Sequence, residues 1–358
     1  MELEENKVTI YTIAEKLGMS VSMVSRAFKP NSKLNNEKRA LILETAERMG
    51  FVQNKMASRL SMKPIRIAVL IYGRFKGYYD EMVHGIESAC RDLSDYKVTC
   101  AMHVLPFGQY TDEDAFRLLV QFCEEGYDGI ILHGLYDEEV SRRIDAIVES
   151  GIPVVTLHND ILSCRRLFTS MNDTELTGSI AAQMLDILLP KKHRKVVLFS
   201  GDMKSLVHQT LTFSFIRHVE EAGLQLLRHY ATEDCPKQAA AMAEEAFKTY
   251  PNIDGIYISS ANSTPILKYL EDHDFAGRVK VVASDVFPEL SAYMRKGIVH
   301  ATIYQDPYGQ GKRAFESLFY YLTEKRKVNS IIMTPPQIVL RSNLSAYEHW
   351  RRNDFTGS

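Results

Sequence analysis

The first residues whose types could carry out chemistry form a short polar surface near the N-terminus. In the helical segment 21–28, Ser22, Ser25 and Arg26 would be exposed, whereas Val24 falls at a position that packs inward. Short hydroxyl side chains and one arginine suit contacts to phosphates and base edges, because arginine can make two hydrogen bonds to guanine. The segment therefore predicts a helix that contacts DNA.

A second group of polar and aromatic residues follows the ends of apolar, strand-like segments. Asp, Asn, Gln, Arg and His side chains offer donors and acceptors that pair well with hydroxyl groups. A pocket with apolar walls and a few converging polar groups is the usual form of a small-molecule site. The pattern predicts a ligand site, although each residue could instead stabilise a turn. The candidates are Tyr72, Arg74, Tyr79, His133, His158, Asn262, Asp285 and Gln305.

Two of these candidates, His133 and His158, could in principle bind a metal. No cysteine or third histidine lies at a ligand-like spacing from them, so we predict hydrogen-bonding wall residues and neither a metal nor another cofactor. The chain also has no G-x-G-x-x-G after a strand, no P-loop and no G-x-S-x-G nucleophile elbow. The sequence therefore favours a binding protein over an enzyme.

The polar surface near the N-terminus needs three short helices to position it. Thr9 is the predicted N-cap of the first helix, Gly18 ends that helix with a positive φ, and Ser20 caps the second. A third helix runs from about Asn36 to Gly50. A helix, a tight turn with glycine and a second short helix are typical of a helix-turn-helix. The third helix is predicted to direct inward Ala40, Leu41, Leu43, Ala46 and Met49.

The charge of the chain is unevenly distributed. Residues 6–63 carry 11 Lys and Arg and 4 acidic residues, a balance of +7, and residues 1–5 carry three glutamates. The net charge of -2 for the whole chain leaves -6 for residues 64–358. A small basic segment on an acidic body indicates that only the small segment meets a polyanion, the alternative being a basic face without a partner.

Beyond Lys63-Pro64, the predicted boundary of the first domain, strand-like and helical patterns alternate about eight times over nearly 300 residues. Short continuous apolar strands between helices predict parallel sheets that are covered on both faces. About eight strand–helix units are more than one ordinary doubly wound domain contains. We therefore predict two lobes, with ligands bound outside the carboxyl ends of their strands. The predicted strands are 65–72, 97–105, 128–133, 153–157, 195–200, 254–259, 280–284 and 300–304.

Length and composition agree with a cytoplasmic protein of two or three domains. The chain has 358 residues, at roughly 150 residues per domain. No apolar run reaches the roughly 18 residues that span a bilayer, and the acidic segment 1–5 does not resemble a secretory signal. Five cysteines, an odd number without a close pair, favour a reducing compartment.

The N-terminal residues carry a specific resemblance. The stretch T-I-Y-T-I-A-E-K-L-G-M-S-V-S-M-V-S-R-A-F, followed by T-A-E-R-M-G-F-V-Q-N-K-M-A-S-R-L, resembles the lactose-repressor (LacI) family over about 50 residues. Residues 65–345 are similar to the periplasmic-binding-protein fold, through landmarks such as D-G-I-I-L, V-V-A-S-D and A-T-I-Y-Q-D-P-Y-G-Q-G. The resemblance implies an all-α helix-turn-helix domain followed by a two-lobed α/β domain with two parallel, doubly wound sheets.

The resemblance also implies roles for individual residues in DNA binding. Residues 54–61 would form a hinge that becomes helical on DNA, and its Leu60 would be a wedge pushed between base pairs in the minor groove. Met23 stands where threonine is usual and Gln53 where proline is usual, so the resemblance does not imply that phosphate contact or a rigid entry into the hinge. Major-groove contacts would come from Val21, Ser22 and Arg26. Other DNA contacts, chiefly to phosphates, would come from Thr9, Ser20, Ser25, Asn54 and Ala57.

Domain boundaries follow from the same resemblance. We predict a DNA-binding domain over 6–53, a hinge over 54–63 and an effector-binding and dimerisation domain over 64–345. Its first lobe would contain about 65–162 and 292–325, and its second about 163–290 and 326–345. The chain would cross between the lobes near 160–166, 286–292 and 324–330.

Together these features predict a ligand-responsive transcriptional regulator, with a repressor favoured. It would bind a near-palindromic operator as a dimer, and a sugar or polyol effector would alter its affinity. An aromatic such as Tyr79 commonly stacks on a sugar face in this family. His158 stands where sugar-binding members usually have aspartate, and the two histidines together with Arg74 leave an acidic sugar or sugar phosphate open. The alternatives are a sugar-binding protein without operator specificity, a transport binding protein and an enzyme.

Overall fold

A computed structural model describes residues 8–28, 34–51, 63–73, 75–106, 108–135, 138–161, 163–192 and 194–348. The chain divides between Lys63 and Pro64 into two compact units, except that Asp95–Lys97 group with the first. We call the helical first unit the head and the second unit the body. The candidates Asn54, Ala57, Leu60 and Arg74 lie outside the described residues.

The head contains helices α1 (Ile10–Leu17), α2 (Val21–Ala27) and α3 (Asn36–Arg48). Thr9 caps α1, because its Oγ1 accepts a hydrogen bond from the backbone N–H of Thr12 at 3.3 Å. Gly18 ends α1 at φ 58°, a conformation that glycine adopts without a Cβ clash. Ser20 Oγ accepts from the backbone N–H of Met23 at 3.3 Å and so begins α2. Local caps thus produce the helix-turn-helix.

The inward face of α3 differs from the predicted one. Ile42, Thr45 and Ala46 are buried, whereas Leu41 and Leu43 are 43% and 37% exposed. Positions 42, 45 and 46 lie at the i, i+3, i+4 spacing of one helix face. Leu41 and Leu43 are the immediate neighbours of Ile42 in the sequence, so they lie on other sides of the helix. The core of the head joins this face to Ile13, Ala14, Val24 and Ala27.

The described residues of the body form two six-stranded sheets. In the first, which we call lobe 1, the strand order is β11-β5-β4-β3-β1-β2, and in lobe 2 it is β12-β10-β9-β8-β6-β7. All neighbouring strands are parallel except β10 and β12. The predicted architecture of two parallel sheets is confirmed. The strands are β1 (Ile65–Gly73), β2 (Val98–Pro106), β3 (Gly129–His133), β4 (Val154–Leu157), β5 (Phe168–Asn172), β6 (Lys195–Ser200), β7 (Gln225–Ala231), β8 (Gly255–Ile258), β9 (Lys280–Ser284), β10 (Ala301–Tyr304), β11 (Ile331–Thr334) and β12 (Gln337–Val339).

Nine helices of the described residues cover these sheets. They are α4 (Lys76–Asp92), α5 (Asp112–Glu124), α6 (Glu138–Glu149), α7 (Thr174–Leu188), α8 (Leu206–Glu221), α9 (Pro236–Thr249), α10 (Ser263–Asp272), α11 (Pro288–Arg295) and α12 (Pro307–Glu324). Close helix packing depends on glycine at Gly85, where a Cβ would lie 2.0 Å from the carbonyl oxygen of Tyr308. This contact brings α4 against α12 on lobe 1. No described helix is both long and apolar enough to cross a membrane.

The predicted crossings near 160–166, 286–292 and 324–330 are wrong in position. The chain passes between the lobes at 172–174, 304–307 and 334–337. The sequence F-T-S-M-N of β5 is too polar to be recognised as a strand, yet β5 pairs with β4 and keeps the chain in lobe 1. Likewise β10 pairs with β9 in lobe 2, and β11 pairs with β5 in lobe 1. The predicted lobe ranges change accordingly.

Hydrogen bonds join the three crossings. The backbone N–H of Asp173 donates to the carbonyl oxygen of Thr334 at 2.9 Å. Arg313 Nη2 donates to Asp306 Oδ2 at 2.9 Å and to Thr334 Oγ1 at 2.6 Å. Asp306 has φ 54° and caps α12 by accepting from the N–H of Gly309. The crossings therefore form one connected hinge.

Candidate functional site

A cavity of about 100 Å³ lies between the carboxyl ends of the two sheets, and we call it the cleft. One water needs about 10–15 Å³, so the cleft has room for several waters or one small ligand. Its position follows from parallel sheets, since the loops after the strands converge at one edge. It is lined by Tyr72, Phe75, Tyr78, Tyr79, His133, Gly134, His158, Asn159, Ser205, Val207, His208, Leu211, Asp234, Ser259, Ala261, Asp285 and Gln305.

Of the ligand-site candidates within the described residues, only Asn262 does not line the cleft. It is the residue before α10 and begins that helix, while Ser259 and Ala261 line the wall instead. The six candidates that the structure brings together are Tyr72, Tyr79, His133, His158, Asp285 and Gln305.

Sequence reasoning missed much of the wall that lobe 2 contributes. Ser205 and His208 follow β6, and the strand-end pattern could have identified them. Asp234 follows β7, a strand that was not predicted because Q-L-L-R-H-Y-A has no continuous apolar run. On the lobe 1 side, Phe75 and Tyr78 also line the cleft at the start of α4, and the choice of Tyr79 over the neighbouring Tyr78 depended on helix phase.

Two of the three histidines that line the cleft, His133 and His158, are neutral. Burial lowers the pKa of His133 to about 4. Burial, helped by the nearby His133, lowers the pKa of His158 well below its usual value. His158 Nδ1 lies 2.8 Å from Tyr78 Oη. The two rings therefore offer hydrogen bonds and no positive charge to a ligand at neutral pH.

Asp285 is held at the edge of lobe 2 by its backbone and its partners. Its φ is 63°, a conformation that non-glycine residues adopt rarely and aspartate more readily than most. Its carboxylate accepts from Gln305, at 3.2 Å from the backbone N–H and 2.8 Å from Nε2. Burial raises the pKa of Asp285 to about 7 in spite of these hydrogen bonds.

One side-chain hydrogen bond spans the cleft. Ser205 Oγ, in lobe 2, donates to Asn159 Oδ1, in lobe 1, at 3.0 Å, and both residues are buried. On the lobe 2 side, His208 Nε2 lies 3.6 Å from Asp234 Oδ2. The structure thus describes a body with the two lobes in contact at this point.

Several buried polar atoms of the cleft wall have no hydrogen-bond partner among the described residues. They are His133 Nδ1, His208 Nδ1, Ser259 Oγ and Gln305 Oε1. A buried donor or acceptor without a partner costs about 1–3 kcal/mol, so such atoms are normally satisfied. A ligand with several hydroxyl groups could satisfy these atoms.

Glu81, on α4, is a buried carboxyl beside the cleft, 6% exposed. Burial, with a smaller contribution from Asp306, raises the pKa of Glu81 to about 7 from 4.5. The folded state therefore holds a proton that the unfolded chain releases near pH 4.5, and the free energy of unfolding falls as pH rises from 4.5 to 7. We expect Glu81→Gln to remove this loss, which is roughly 3 kcal/mol.

Urea unfolding of the wild type and Glu81→Gln across this pH range measures the difference. The matched control is Glu87→Gln, which changes an exposed glutamate of the same helix. If the wild type and Glu81→Gln kept a constant difference in unfolding free energy from pH 4.5 to 7, Glu81 would not be the titrating group.

The polar face of α2 is the candidate DNA-contacting surface. Ser22 and Arg26 are exposed and Ser25 is partly exposed. Arg26 Nη2 donates to Ser22 Oγ at a long 3.4 Å, so the guanidinium keeps most of its hydrogen-bonding capacity. Val21 instead packs against the core of the head. Thr9 caps the N-terminus of α1 and Ser20 caps the N-terminus of α2.

The described residues contain no group of three or more His, Cys, Asp or Glu side chains placed to hold a metal ion.

Comparison with known proteins identifies the body. Residues 67–326, most of the chain, match the family described as "Periplasmic binding protein domain". The chain belongs to this family. Two solved structures from Geobacillus stearothermophilus share its fold: GanP, a glucose-galactose binding protein, and AraP, an arabinose binding protein. GanP is 22% identical with a TM-score of 0.71, covering 79% of this chain and 99% of GanP. AraP is 19% identical with a TM-score of 0.70, covering 80% of this chain and 99% of AraP.

Curated relatives add the head. The HTH-type transcriptional repressor PurR of Pasteurella multocida is 20% identical over 361 residues, 94% of this chain and 99% of PurR. Catabolite control protein A of Priestia megaterium is 28% identical over 229 residues, 63% of this chain and 65% of that protein. The match to its counterpart in Streptococcus mutans covers 56% of that protein, so both matches span less than two thirds of these relatives. The resemblance to the LacI family is confirmed.

Proposed function

We propose that the protein is a ligand-responsive transcriptional repressor. Its head would bind a near-palindromic operator, and a small polyhydroxylated effector in the cleft would change that affinity. The observation that carries the proposal is the joining, in one chain, of a helix-turn-helix with an exposed arginine on α2 to a cleft with unpartnered polar atoms.

DNA binding is supported by the head. Its second helix exposes Ser22 and Arg26, and residues 6–63 carry a balance of +7. Positive charge supplies the salt-dependent part of DNA affinity, and base contacts supply the specificity. Two of its relatives are named as regulators with a helix-turn-helix: PurR as an HTH-type transcriptional repressor and DegA of Bacillus subtilis as an HTH-type transcriptional regulator. Within this proposal, residues 6–53 bind DNA, and 54–63 connect them to the effector-binding residues 64–345.

A neutral sugar is the effector that the cleft favours. Among the described lining residues there is no lysine or arginine, His133 and His158 are neutral, and the third histidine, His208, already lies 3.6 Å from Asp234. Such a wall offers a phosphate or carboxylate no arginine or lysine partner, so it disfavours an acidic sugar or a sugar phosphate. Tyr79 and Phe75 provide aromatic faces beside the polar groups. GanP and AraP, which share the fold, are named as binding glucose and galactose, and arabinose.

The regulation would be linkage between two sites. An effector that contacts both lobes stabilises the closed body, and the difference in its affinity for closed and open bodies sets the largest change in operator affinity. We propose that the protein acts in the cytoplasm as a homodimer, because two helix-turn-helix heads are needed for the two half-sites of a palindrome.

A gel-shift titration with the DNA upstream of the protein's own gene tests the proposal, together with a thermal-shift screen of monosaccharides, polyols and sugar phosphates. We expect retardation that depends on sequence and weakens with salt, and a rise in Tm with a neutral sugar that also changes the gel shift. A sugar-dependent Tm without sequence-specific retardation would support a sugar-binding protein without operator specificity instead.

A further inference from the structure

Gln310 is a fully buried glutamine of α12 that lies behind the wall of the cleft. Its Nε2 is 2.7 Å from the backbone carbonyl oxygen of Gln305 and 3.3 Å from Tyr78 Oη. The backbone carbonyl oxygen of Gln310 accepts from Ser170 Oγ at 3.0 Å, which ties α12 to β5. Gln310 therefore connects the second crossing of the hinge to the aromatic residue that contacts His158.

The orientation of the Gln310 amide follows from its partners. The carbonyl oxygen of Gln305 can only accept, so the atom 2.7 Å from it has to be the NH₂ group. The reversed amide would place two acceptors in contact. One hydrogen of Nε2 goes to Gln305, and the other is the donor to Tyr78 Oη.

The direction of the next hydrogen bond follows in turn. The oxygen of Tyr78 accepts from Gln310, and its single hydrogen needs an acceptor, which His158 Nδ1 provides at 2.8 Å. A proton on His158 Nδ1 would leave two donors at the oxygen of Tyr78, and neither of its two hydrogen-bond partners would then accept the hydroxyl hydrogen. Burial raises the pKa of Tyr78 well above its usual value, so the hydroxyl keeps its proton.

We propose that Gln310 is a positioning residue that fixes the tautomer of His158 through Tyr78, with the ring proton on Nε2. His158 lines the cleft, so this tautomer makes it a hydrogen-bond donor there. The effector then needs an acceptor oxygen opposite His158, while Asp285 and Gln305 Oε1 accept from its hydroxyls. The contacts of His158, Asp285 and Gln305 with an effector rest on the proposed function, whereas the tautomer of His158 does not.

Long-range ¹H–¹⁵N spectra of ¹⁵N-histidine-labelled protein without ligand test the tautomer. His158→Gln assigns the resonances of His158 by their disappearance. At neutral pH we expect Nε2 to carry the proton and Nδ1 to give the downfield ¹⁵N signal of a nitrogen without one. A wild-type spectrum with the proton on Nδ1, or on both nitrogens, would overturn the proposal.

Gln310→Glu should reverse the chain of hydrogen bonds that runs from Gln310 through Tyr78 to His158, which we call the relay. In a buried, protonated glutamic acid the hydroxyl oxygen takes the place of Nε2: its single hydrogen goes to the Gln305 carbonyl oxygen, so towards Tyr78 the same oxygen can only accept from the hydroxyl. The Tyr78 oxygen then accepts from His158, and we expect the ring proton to move to Nδ1. A second variant, Tyr78→Phe, removes the relay and should leave His158 as a mixture of tautomers. Unchanged His158 signals in the variants that fold would refute the role of Gln310.

A matched control is Thr177→Val, which removes a buried hydrogen bond of Thr177 Oγ1 to Asn172 Oδ1 at the first crossing, 2.7 Å long, outside the relay. We expect it to lower stability and to leave the His158 signals unchanged. If D-galactose raises the Tm of the wild type, we expect Gln310→Glu to weaken its binding about tenfold, because one buried hydrogen bond is lost. If no neutral sugar raised the Tm of the wild type, but Gln310→Glu moved the ring proton of His158 to Nδ1, the result would count against the proposed function and for this inference.

Discussion

We expect Arg26→Ala to remove most of the sequence-specific affinity for the operator. A side chain that makes two hydrogen bonds to a guanine contributes about 1–3 kcal/mol of discrimination, which is roughly a tenfold to hundredfold loss for each half-site. Arg26 is exposed and lies outside the core of the head, so the substitution should not unfold the head. Gel shifts with specific and scrambled DNA measure the difference.

Arg48→Ala is the matched control, since Arg48 is an exposed arginine of α3 whose nearby carboxylate belongs to Glu44. Both substitutions remove one positive charge from the head, so they should weaken binding to scrambled DNA alike. Sugar-dependent changes in Tm should persist in both variants. Equal losses of specific binding in Arg26→Ala and Arg48→Ala would contradict the assignment of α2 as the helix that reads DNA.

The second large effect is expected for Asp285→Ala, which should strongly reduce the sugar-dependent rise in Tm. The carboxylate is buried in the cleft and orders Gln305 through two hydrogen bonds. Above its pKa of about 7 the carboxylate is charged, and a hydrogen bond that involves a charged group contributes about 1.5–3 kcal/mol, so affinity should fall roughly tenfold or more at such a pH. Calorimetric titration with the sugar found in the screen measures the loss.

Asp272→Ala provides the control for this experiment. Asp272 is an exposed aspartate at the end of α10 in lobe 2, where it pairs with Lys268 2.8 Å away. We expect its sugar affinity to equal that of the wild type. Retention of full sugar affinity by Asp285→Ala would place the effector elsewhere, and loss of specific DNA binding by a folded Asp285→Ala without sugar would contradict the division into two functional units.

How far the sequence predicts each part depends on the range of the interactions that form it. The turn between α1 and α2 depends on Thr9, Gly18 and Ser20, each of which acts within three or four residues of its own position. The face of α3 depends on what α1 and α2 present to it, so sequence reasoning misplaced Leu41 and Leu43. Apolar strands such as β3 could be predicted because a continuous apolar run, like the caps of α1 and α2, is a local property of the sequence.

The cleft shows the opposite dependence. His133, His158 and Asp285 could be predicted because each directly ends or follows an apolar strand. Asp234 could not be predicted, because β7 lies at the edge of its sheet and has a mixed sequence. The contact between Ser205 and Asn159 joins residues 46 positions apart in different lobes, and no local pattern records that pairing.

The sequence by itself determined a basic helix-turn-helix, the alternation of strands and helices in the body and most strand-end polar residues, because caps, charge and periodicity are local properties. Only the tertiary structure decided where the chain crosses between lobes, which wall of the cleft each polar group occupies and which way the hydrogen bonds of Gln310, Tyr78 and His158 run. These features depend on pairing and burial between distant segments. Burial in particular makes His133 and His158 neutral and raises the pKa of Asp285, and a sequence does not show burial directly.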